Sequence, residues 1–371
     1  MEYQYKTVVI GAGPAGSACA ISMQKAGESL CLIDRAVFPR SKTCAGLVTA
    51  KTYRLIRSLF TESLSDDLFC DAVSVVRLFR KTKELASADL ERPVRLVNRI
   101  DFDNALVEEY KRLGGVMFEG EKHTAIDYER RLVTLSNGDT IRYQTLMFAD
   151  GSLSMAHKLL DFDKSKLAFG VEAYVPADRL RVNSIDLYFD YLPDGYAWVF
   201  PHGDTVCIGL ANQFSPRTDY LKTLNTFLDD LSVDARDTKI IGAFLPYGYA
   251  VPQDRLPDNV MLLGDAGGFT DPISGDGLYM ALQTGIYAAQ AALSDDPKQA
   301  YLKSVQELTQ IVTDGKKVQK TFYSPAIQKL FYHKAKGKSR LVSYFFENMV
   351  EEYRYDYRDI YKMYRDYKKK K

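Results

Sequence analysis

The sequence predicts an α/β (α+β) fold that combines a parallel-sheet region, an inserted antiparallel β-sheet and a helical C-terminal region. Three patterns predict it. A strand, a helix and a second strand open the chain over residues 5–34, long alternating strands fill residues 168–210, and a helical, increasingly basic pattern begins near residue 298. A β-α-β unit is typical of a parallel sheet, whereas long alternating strands are typical of an antiparallel one.

Composition and charge exclude several classes of protein. Of the 371 residues, 46% are hydrophobic and 26% charged, as in an ordinary globular protein. The net charge of +1 gives no global attraction for nucleic acid. No apolar run approaches the roughly 18 residues that cross a bilayer, and the N-terminus lacks a signal-peptide layout. Five scattered cysteines show no metal-ligand spacing, so we expect no metal and a reduced, cytoplasmic protein.

The opening β-α-β unit carries a dinucleotide-binding pattern. Between its first strand and its helix, Gly11 permits a tight turn, Gly13 lets the backbone approach a pyrophosphate, and Gly16 lets the helix pack against the strand. Asp34 ends the second strand, where a carboxylate binds the hydroxyls of an adenosine ribose. The pattern predicts a dinucleotide site that disfavours NADP. A glycine-rich turn without a ligand is the alternative.

A second glycine-rich segment, residues 264–278, favours FAD over NAD. There a buried strand ends in Asp265, and a Pro/Gly loop opens a helix. NAD needs no second site of this kind, but the ribityl-isoalloxazine half of FAD does. Asp265 is placed to bind ribityl hydroxyls, and the amides of Gly277 and Leu278 to face the flavin N1/C2 carbonyl, where a helix start stabilises negative charge. A solvated turn is the alternative.

The remaining pattern predicts how the chain divides into domains. A helix is expected over residues 101–113, a hairpin over 128–143 with a turn at Asn137-Gly138, and a helix over 277–293. The predicted parts are an FAD-binding domain of residues 1–69, 98–167 and 251–297, a substrate domain of residues 70–97 and 168–250, and a C-terminal helical region of residues 298–371.

Five motifs together resemble the geranylgeranyl reductase family, within the para-hydroxybenzoate hydroxylase-like flavoproteins. They are GAGPAG with Asp34, the segment FPRSKTCAG at residues 38–46, Arg99 followed by Phe102-Asp103, the segment GDAGGFTDPISGDG at residues 264–277, and YAWVFP at residues 196–201. The resemblance extends to about Leu293. One departure is Cys44-Ala45-Gly46, where the family usually has Cys-Gly-Gly.

The resemblance implies a glutathione-reductase-like Rossmann domain and a flavin whose reduced N5 passes hydride to a carbon–carbon double bond of an isoprenoid or other hydrophobic lipid. Only one dinucleotide fingerprint is present, so the expected reductant is NAD(P)H bound transiently or a ferredoxin-like protein. The predicted cofactor-binding residues are Gly11, Gly13, Ala15, Gly16, Asp34, Arg35, Cys44, Ala45, Gly46, Arg99, His123 (a backbone contact to adenine), Asp265, Gly275, Gly277 and Leu278.

The YAWVFP strand predicts a substrate wall, because a period of two places Tyr196, Trp198 and Phe200 on one face. Tyr174 and Tyr188 are expected neighbours, and plain core packing is the alternative. Cys44 is the remaining catalytic candidate. A thiol beside a cofactor is either a reactive group or a small packing residue, and both interpretations stay open.

Two other functions compete with a reductase. A flavin monooxygenase of an apolar or aromatic substrate is disfavoured, because hydroxylases of this group usually carry His and Asn where Gly268 and Leu278-Tyr279 stand here. A non-catalytic flavin-binding or lipid-carrying protein is the other alternative.

The C-terminal tail is rich in tyrosine and basic. It carries Tyr353, Tyr355, Tyr357, Tyr361, Tyr364 and Tyr367, with eight Lys/Arg against three Asp in residues 353–371. An amphipathic basic helix of this kind binds anionic membranes peripherally. Packing on the protein with a solvated basic end is the alternative.

Overall fold

The computed structural model describes residues 1–62, 65–160, 162, 164–351 and 359–369. The strands of this part of the chain are β1 Glu2–Gln4, β2 Thr7–Ile10, β3 Leu30–Asp34, β4 Leu47–Val48, β5 Asp71–Arg80, β6 Lys83–Leu96, β7 Val116–Glu119, β8 His123–Asp127, β9 Leu132–Leu135, β10 Thr140–Arg142, β11 Thr145–Phe148, β12 Leu167–Pro176, β13 Ile185–Phe189, β14 Gly195–His202, β15 Thr205–Gln213, β16 Ile240–Pro246 and β17 Val260–Leu262. The α-helices are α1 Pro14–Lys25, α2 Ala50–Leu59, α3 Arg99–Arg112, α4 Tyr220–Asp230, α5 Leu278–Ala291, α6 Pro297–Ser304, α7 Gln306–Phe322, α8 Pro325–Ala335, α9 Ser339–Phe345 and α10 Ile360–Lys369.

A five-stranded parallel sheet forms the Rossmann-like part of the fold. Its strand order is β17-β11-β2-β3-β7. Strands β2 and β3 are buried along their whole length, as their apolar sequences TVVI and LCLID predict. Helices α1, α3 and α5 pack together over one face of this sheet and share its apolar core. The predicted α/β fold is confirmed.

A small four-stranded sheet covers the other face of the Rossmann-like part. Its order is β1-β10-β9-β8, and its side chains share a core with β2, β11 and β17. Strands β9 and β10 form the predicted hairpin, and Gly138 in its turn has a φ of 87°, which glycine adopts without strain. The residues near Asn137 therefore make the turn that their sequence predicts.

The third sheet has eight strands, in the order β16-β12-β15-β14-β13-β5-β6-β4. Its pairs are antiparallel, as predicted, except β13 with β5, which is parallel. Strands β5 and β13 come from chain segments about 100 residues apart, so no hairpin dictates their relative direction. One face of the sheet packs on α4, and the other faces a large cavity.

The C-terminal helices lie against both parts of the molecule. Helix α6 packs on α5, whereas α8 and α9 pack on β6. Of the tyrosine-rich tail, Tyr353, Tyr355 and Tyr357 lie outside the described residues, and Tyr367 in α10 is buried beside Tyr344. Within the described ranges, no helix has both the length and the apolar composition needed to cross a bilayer.

Candidate active site

The first glycine turn lies at the carboxyl end of β2, where it opens α1. Gly11 has a φ of 102°, and a Cβ there would lie 2.4 Å from the carbonyl oxygen of Ala149. A Cβ on Gly16 would lie 1.8 Å from the carbonyl oxygen of Gly11, so helix and turn touch. Gly13 differs: a Cβ there would meet only the Arg40 guanidinium, at 3.5 Å, among the described residues. The open space at Gly13 adjoins the N-terminus of α1, where anions bind.

Asp34 closes this end of the site from the neighbouring strand. Its two carboxylate oxygens accept hydrogen bonds from the amides of Ala12 (2.7 Å) and Ala36 (2.8 Å). Each oxygen has a second lone pair, so the carboxylate remains able to accept from sugar hydroxyls. His123 lines the same end, and its buried Nε2 has no hydrogen-bond partner among the described residues. Burial lowers the pKa of His123, so its ring is neutral at pH 7.

A buried ion-pair network holds the loop of residues 38–46. Asp103 of α3 accepts from Arg99 (2.7 and 2.9 Å) and lies 3.1 Å from the guanidinium of Arg40. Gly46 has a φ of 74°, and a Cβ there would lie 2.1 Å from the carbonyl oxygen of Val97. The loop is therefore fixed at both ends. The half-buried thiol of Cys44 lies between them, within the cavity lining.

The second glycine segment lies beside the first. Helices α1 and α5 approach so closely that a Cβ on Gly285 would lie 2.2 Å from the carbonyl oxygen of Ala15. Gly277 caps the N-terminus of α5, and Gly275, with a φ of 73°, turns the loop beneath the hydroxyl of Tyr196. That hydroxyl donates to the carbonyl of Ser274 at 2.6 Å. The two glycine segments are thus neighbours, and an aromatic residue of the eight-stranded sheet contacts the second.

Asp265 belongs to the second glycine segment and lines the same cavity as the first. Burial raises its pKa, while the nearby cations Lys42 and Arg99 lower it. Thr270 donates to its Oδ1 at 3.2 Å. A carboxylate held between cations in this way is suited to bind hydroxyl groups of a ligand.

One cavity of about 1400 Å³ connects all of these groups. Every predicted site residue lines it except Gly16, whose place is in the contact between α1 and the turn. Pockets for a single small ligand are commonly about 300–1,000 Å³. The volume therefore leaves room for a dinucleotide and a second ligand. The open backbone at Gly13 and the unpartnered nitrogen of His123 fit an FAD at the polar end.

The other end of the cavity is bounded by one face of the eight-stranded sheet. Tyr196, Trp198 and Phe200 lie on this face, as their alternation predicts. Across the sheet, Trp198 is level with Gly209, where a Cβ would lie 2.4 Å from the indole ring. The glycine therefore leaves the space that the indole fills. Tyr174 is a neighbour on this face, but Tyr188 is not. The prediction for Tyr188 is wrong, because the strand register sends it to the opposite face, stacked on Phe79.

Helices α7, α8 and α9 complete the apolar end. Their lining side chains are Val318, Phe322, Tyr323, Ile327, Leu330, Phe331, Leu341, Val342 and Phe345. Phe189 of the sheet contacts Phe331 with ring centroids 5.7 Å apart, so the helices touch the sheet beside the cavity. The sequence showed these helices but not that they form a wall of the site.

Glu172 is the main site residue that the sequence reasoning missed. It is a carboxylate in the apolar strand β12, it lines the cavity, and it is only 2% exposed. Burial raises the pKa of Glu172 to about 7. A signal was present, since Glu172 is the one charged residue in the strand sequence FGVEAYV and shares the face of Tyr174.

Comparison with known proteins agrees with this geometry. The pyridine nucleotide-disulphide oxidoreductase family matches residues 5–186. Geranylgeranyl diphosphate reductase of Rhodobacter capsulatus is 32% identical over 319 residues, which cover 81% of this chain and 76% of the relative.

Two solved structures share the fold. A geranylgeranyl bacteriochlorophyll reductase-like protein from Thermoplasma acidophilum superposes with a TM-score of 0.76 and 17% identity, over 89% of this chain and 90% of that one. A probable FAD-dependent monooxygenase from Pseudomonas aeruginosa superposes with a TM-score of 0.68 and 17% identity, over 90% of this chain and 99% of that one. At this identity the likeness concerns the fold alone, so it does not separate a reductase from a monooxygenase.

Fold and site define an FAD-dependent oxidoreductase. The sequence likeness to the Rhodobacter enzyme is more specific than the shared fold. The chain belongs to the geranylgeranyl reductase family.

Proposed function

We propose that the protein uses FAD to reduce carbon–carbon double bonds in the isoprenoid chain of a hydrophobic substrate. The observation that carries this proposal is the single cavity, which runs from the two glycine segments to an apolar end walled by aromatic side chains. The related Rhodobacter protein is named for a geranylgeranyl substrate. An apolar end with few polar groups is suited to a polyprenyl chain.

The polar end of the cavity supplies the groups that would hold FAD. Asp34 would bind the adenosine ribose, the open turn at Gly13 would admit the diphosphate, and the backbone beside His123 would contact adenine. Asp265 would bind ribityl hydroxyls, and the N-terminus of α5 at Gly277 would face the flavin ring. When bound and reduced, FAD supplies a hydride.

The remaining contacts to FAD are proposed for residues that line the middle of the cavity. These residues are Ala15, Arg35, Cys44, Ala45, Gly46, Arg99, Gly275 and Leu278. Arg99 and Arg40 bring positive charge to this region, but Arg99 donates two hydrogen bonds to Asp103 and Arg40 forms an ion pair with it, so their proposed role is to fix the loop rather than to neutralise a ligand.

At the apolar end, the sheet and helices would exclude water and align the substrate chain. Tyr196 is held by its hydrogen bond to Ser274, so it connects the substrate wall to the loop that would carry the flavin. Trp198 and Phe200 are nearly buried and present apolar surface. A polyprenyl chain against this surface would lie with its double bonds close to the glycine segments.

Product analysis separates the three candidate functions. The FAD-loaded, dithionite-reduced protein is incubated without oxygen with geranylgeranyl diphosphate, and the lipid is examined by mass spectrometry. We expect a product that gains one pair of hydrogens per reduced double bond. A product that gains oxygen, and only in air, would establish the monooxygenase. Unchanged lipid that co-purifies with the protein would establish the carrier.

Cys44 is proposed as a catalytic residue because its thiol lines the cavity between the two glycine segments. Its carbonyl accepts a hydrogen bond from the hydroxyl of Tyr174 at 3.0 Å, which ties Cys44 to the eight-stranded sheet. A Cys44→Ser protein tests the thiol directly. Slower product formation with unchanged FAD affinity supports the role, and unchanged turnover removes it.

The reductant is proposed to be NAD(P)H bound transiently or a ferredoxin-like protein. Mixing the FAD-loaded protein with NADH, NADPH or reduced ferredoxin, and following the loss of flavin absorbance, identifies the donor. Fast bleaching by one donor identifies it, and failure of all three contradicts the proposal.

We also propose a cytoplasmic protein that contacts membranes peripherally, through α8 in addition to the tail. Residues 315–346 carry eight Lys/Arg and no Asp or Glu. Ile327 and Leu330 are 38% and 50% exposed and also line the cavity. Apolar side chains within a basic surface suit an anionic bilayer and would place the cavity mouth against it.

Flotation with vesicles of anionic phospholipid tests this contact. Leu330→Asp should reduce flotation. Leu221→Asp should not, although Leu221 on α4 is similarly exposed. Equal flotation of the two variants contradicts the contact through α8. Removing the last 20 or so residues tests the tail in the same assay.

The division of the chain into domains stays a proposal as well. Strands from residues 71–96 and 167–246 share the eight-stranded sheet, which supports assigning both segments to one substrate domain. Limited proteolysis tests it. Cleavage concentrated near residues 70, 98, 168 and 250 supports the proposed boundaries, and cleavage confined to other loops contradicts them.

A further inference from the structure

We propose that Glu172 is the acid that delivers the proton to the second carbon of the double bond. This inference rests on the proposed reduction. Adding a hydride to one carbon of an alkene leaves the other carbon in need of a proton, so the site needs an acid as well as a reductant. Glu172 lies in the cavity lining, on β12, the second strand of the sheet whose face would hold the substrate.

The place of Glu172 in the sheet brings its side chain to the substrate wall. Strand β12 pairs with β15, which pairs with β14, and this register sets Glu172, Gly209 and Trp198 in one row. A Cβ on Gly209 would lie 2.4 Å from the indole ring and 2.9 Å from the Cγ of Glu172. The carboxyl side chain and the aromatic wall therefore meet over the glycine.

Glu172 is also close to the loop that would contact the flavin. The hydroxyl of Tyr174 donates to the carbonyl of Cys44 at 3.0 Å and lies 3.4 Å from the Oε2 of Glu172. The carboxyl group thus lies between the substrate wall and the predicted cofactor loop, where an acid paired with a hydride donor must lie.

The surroundings of Glu172 favour its protonated form near neutral pH. The titratable and charged groups that face it are Tyr174 on its own strand, Cys207 on β15, Lys42 and Cys44 on the loop, and Arg99 on α3. Burial raises the pKa of the carboxyl group, and the two cations only partly oppose this, so the result is a pKa of about 7. A general acid works best when its pKa lies near the working pH.

The proton from Glu172 complements the hydride, two electrons and one hydrogen nucleus, that a bound and reduced FAD would supply to one alkene carbon. The O–H bond of Glu172 breaks, its proton forms a C–H bond at the other carbon, and the carboxylate keeps the electron pair. The alkene thus gains two hydrogens, FAD would be left oxidised, and Glu172 takes up a proton from water before the next turnover.

A matched pair of variants tests the role of Glu172. Glu172→Gln removes the acid but keeps the shape, and Glu84→Gln makes the same change at an exposed position on β6. Each FAD-loaded protein is reduced with dithionite and mixed without oxygen with geranylgeranyl diphosphate, and product is measured in one turnover. We expect Glu172→Gln to be slower by about 100-fold or more and Glu84→Gln to match the wild type.

The pH profile provides a readout that a purely structural role would not change. In the wild type the one-turnover rate should fall as pH rises through about 7, because the acid loses its proton. Glu172→Gln should lose this fall, and Glu172→Asp, which retains a carboxyl group, should keep a fall at a shifted pH with an intermediate rate. If Glu172→Gln does not take up FAD, the pH profile of Glu172→Asp still tests the role: a shifted fall supports it, and an unchanged profile contradicts it.

The outcomes distinguish the inference from the proposal on which it rests. If the wild type makes no saturated product, the proposed function itself is wrong. If the wild type makes product and Glu172→Gln does so at a similar rate with the same pH profile, only the role of Glu172 is overturned. Normal FAD affinity and flavin spectrum in Glu172→Gln, together with slow product formation, support the inference.

Discussion

The proposed nucleotide end of the cavity, at the two glycine segments, and its proposed substrate end, at the eight-stranded sheet and helices α7–α9, are built in different ways. The nucleotide end consists of two short glycine segments in which backbone touches backbone, as where a Cβ on Gly16 would lie 1.8 Å from the carbonyl oxygen of Gly11. The substrate end consists of single side chains contributed by several strands and three helices. Close backbone contact restricts the sequence locally, whereas a wall of side chains tolerates exchange. The difference explains why the glycine segments are recognisable in the sequence, whereas of the apolar wall only the YAWVFP strand is, and the lining helices α7–α9 are not.

The largest effect should come from filling the backbone contact at the nucleotide end. A Gly16→Ala Cβ would overlap a main-chain oxygen that no side-chain rotation can move. We expect the free energy of unfolding of the flavin-free protein to fall by about 3 kcal/mol or more. Urea denaturation measures it, and a variant as stable as the wild type would show that the turn is not tightly packed.

The next effect concerns Glu172 and pH, at the substrate end. The pKa of this carboxyl is raised by burial from its ordinary 4.5 to about 7 in the folded protein. Below pH 4.5 the carboxyl group is protonated in both the folded and the unfolded state. As pH rises to 7, the unfolded state loses this proton first, so the free energy of unfolding falls, by up to about 3 kcal/mol. Glu172→Gln should therefore gain thermal stability over the wild type at pH 8 but not at pH 4. A pH-independent difference would contradict the burial of an acid.

Gly13→Ala is the matched counterpart of the Gly16 change, because its Cβ would meet only the Arg40 side chain among the described residues. We expect the flavin-free protein to keep its stability within about 0.5 kcal/mol. FAD affinity should fall by about tenfold or more, since the methyl group would occupy the place proposed for the diphosphate. Titration with FAD, followed by fluorescence, measures the affinity. Equal losses of stability in the two variants would show that Gly13, like Gly16, is needed for packing of the protein itself.

The smallest effect should come from Gly209→Ala at the substrate end. The new Cβ would press on the Trp198 indole and on the Cγ of Glu172, both of which belong to side chains that line the cavity rather than to the backbone. We expect kcat/KM for the isoprenoid substrate to fall by about fivefold, or about 1 kcal/mol, with FAD affinity unchanged. Loss of FAD binding in this variant would show that the two ends are not independent.

The sequence predicted the local geometry of the two glycine turns because glycine, strand and helix signals coincide there. The positions of Gly11, Gly13 and Asp34 around one turn follow from local geometry that the sequence states directly. Tyr196, Trp198 and Phe200 share a face because strand alternation is also local. Their shared face is therefore a consequence of a pattern that can be read within a few residues, whereas its position against the cavity is not.

The remainder depends on contacts between distant segments. Tyr188 was misplaced because the pairing of β13 with β14 sets Leu187, not Tyr188, opposite Trp198. The parallel pairing of β13 with β5 is equally invisible in either strand alone. An amphipathic helix such as α8 reveals that it has an apolar face but not which surface that face covers. Glu172 was visible in the sequence as a lone carboxylate in an apolar strand. Its position beside Trp198 and the loop of Cys44, however, depends on segments that are distant in the sequence.

The most direct test of the central claim is a crystal structure of the FAD-loaded protein with a geranylgeranyl lipid. The account predicts the adenosine at Asp34, the flavin ring at the start of α5, and the lipid chain against Trp198 in the same cavity. A protein that stays colourless in FAD, or a lipid bound elsewhere than between the eight-stranded sheet and α7–α9, would contradict it.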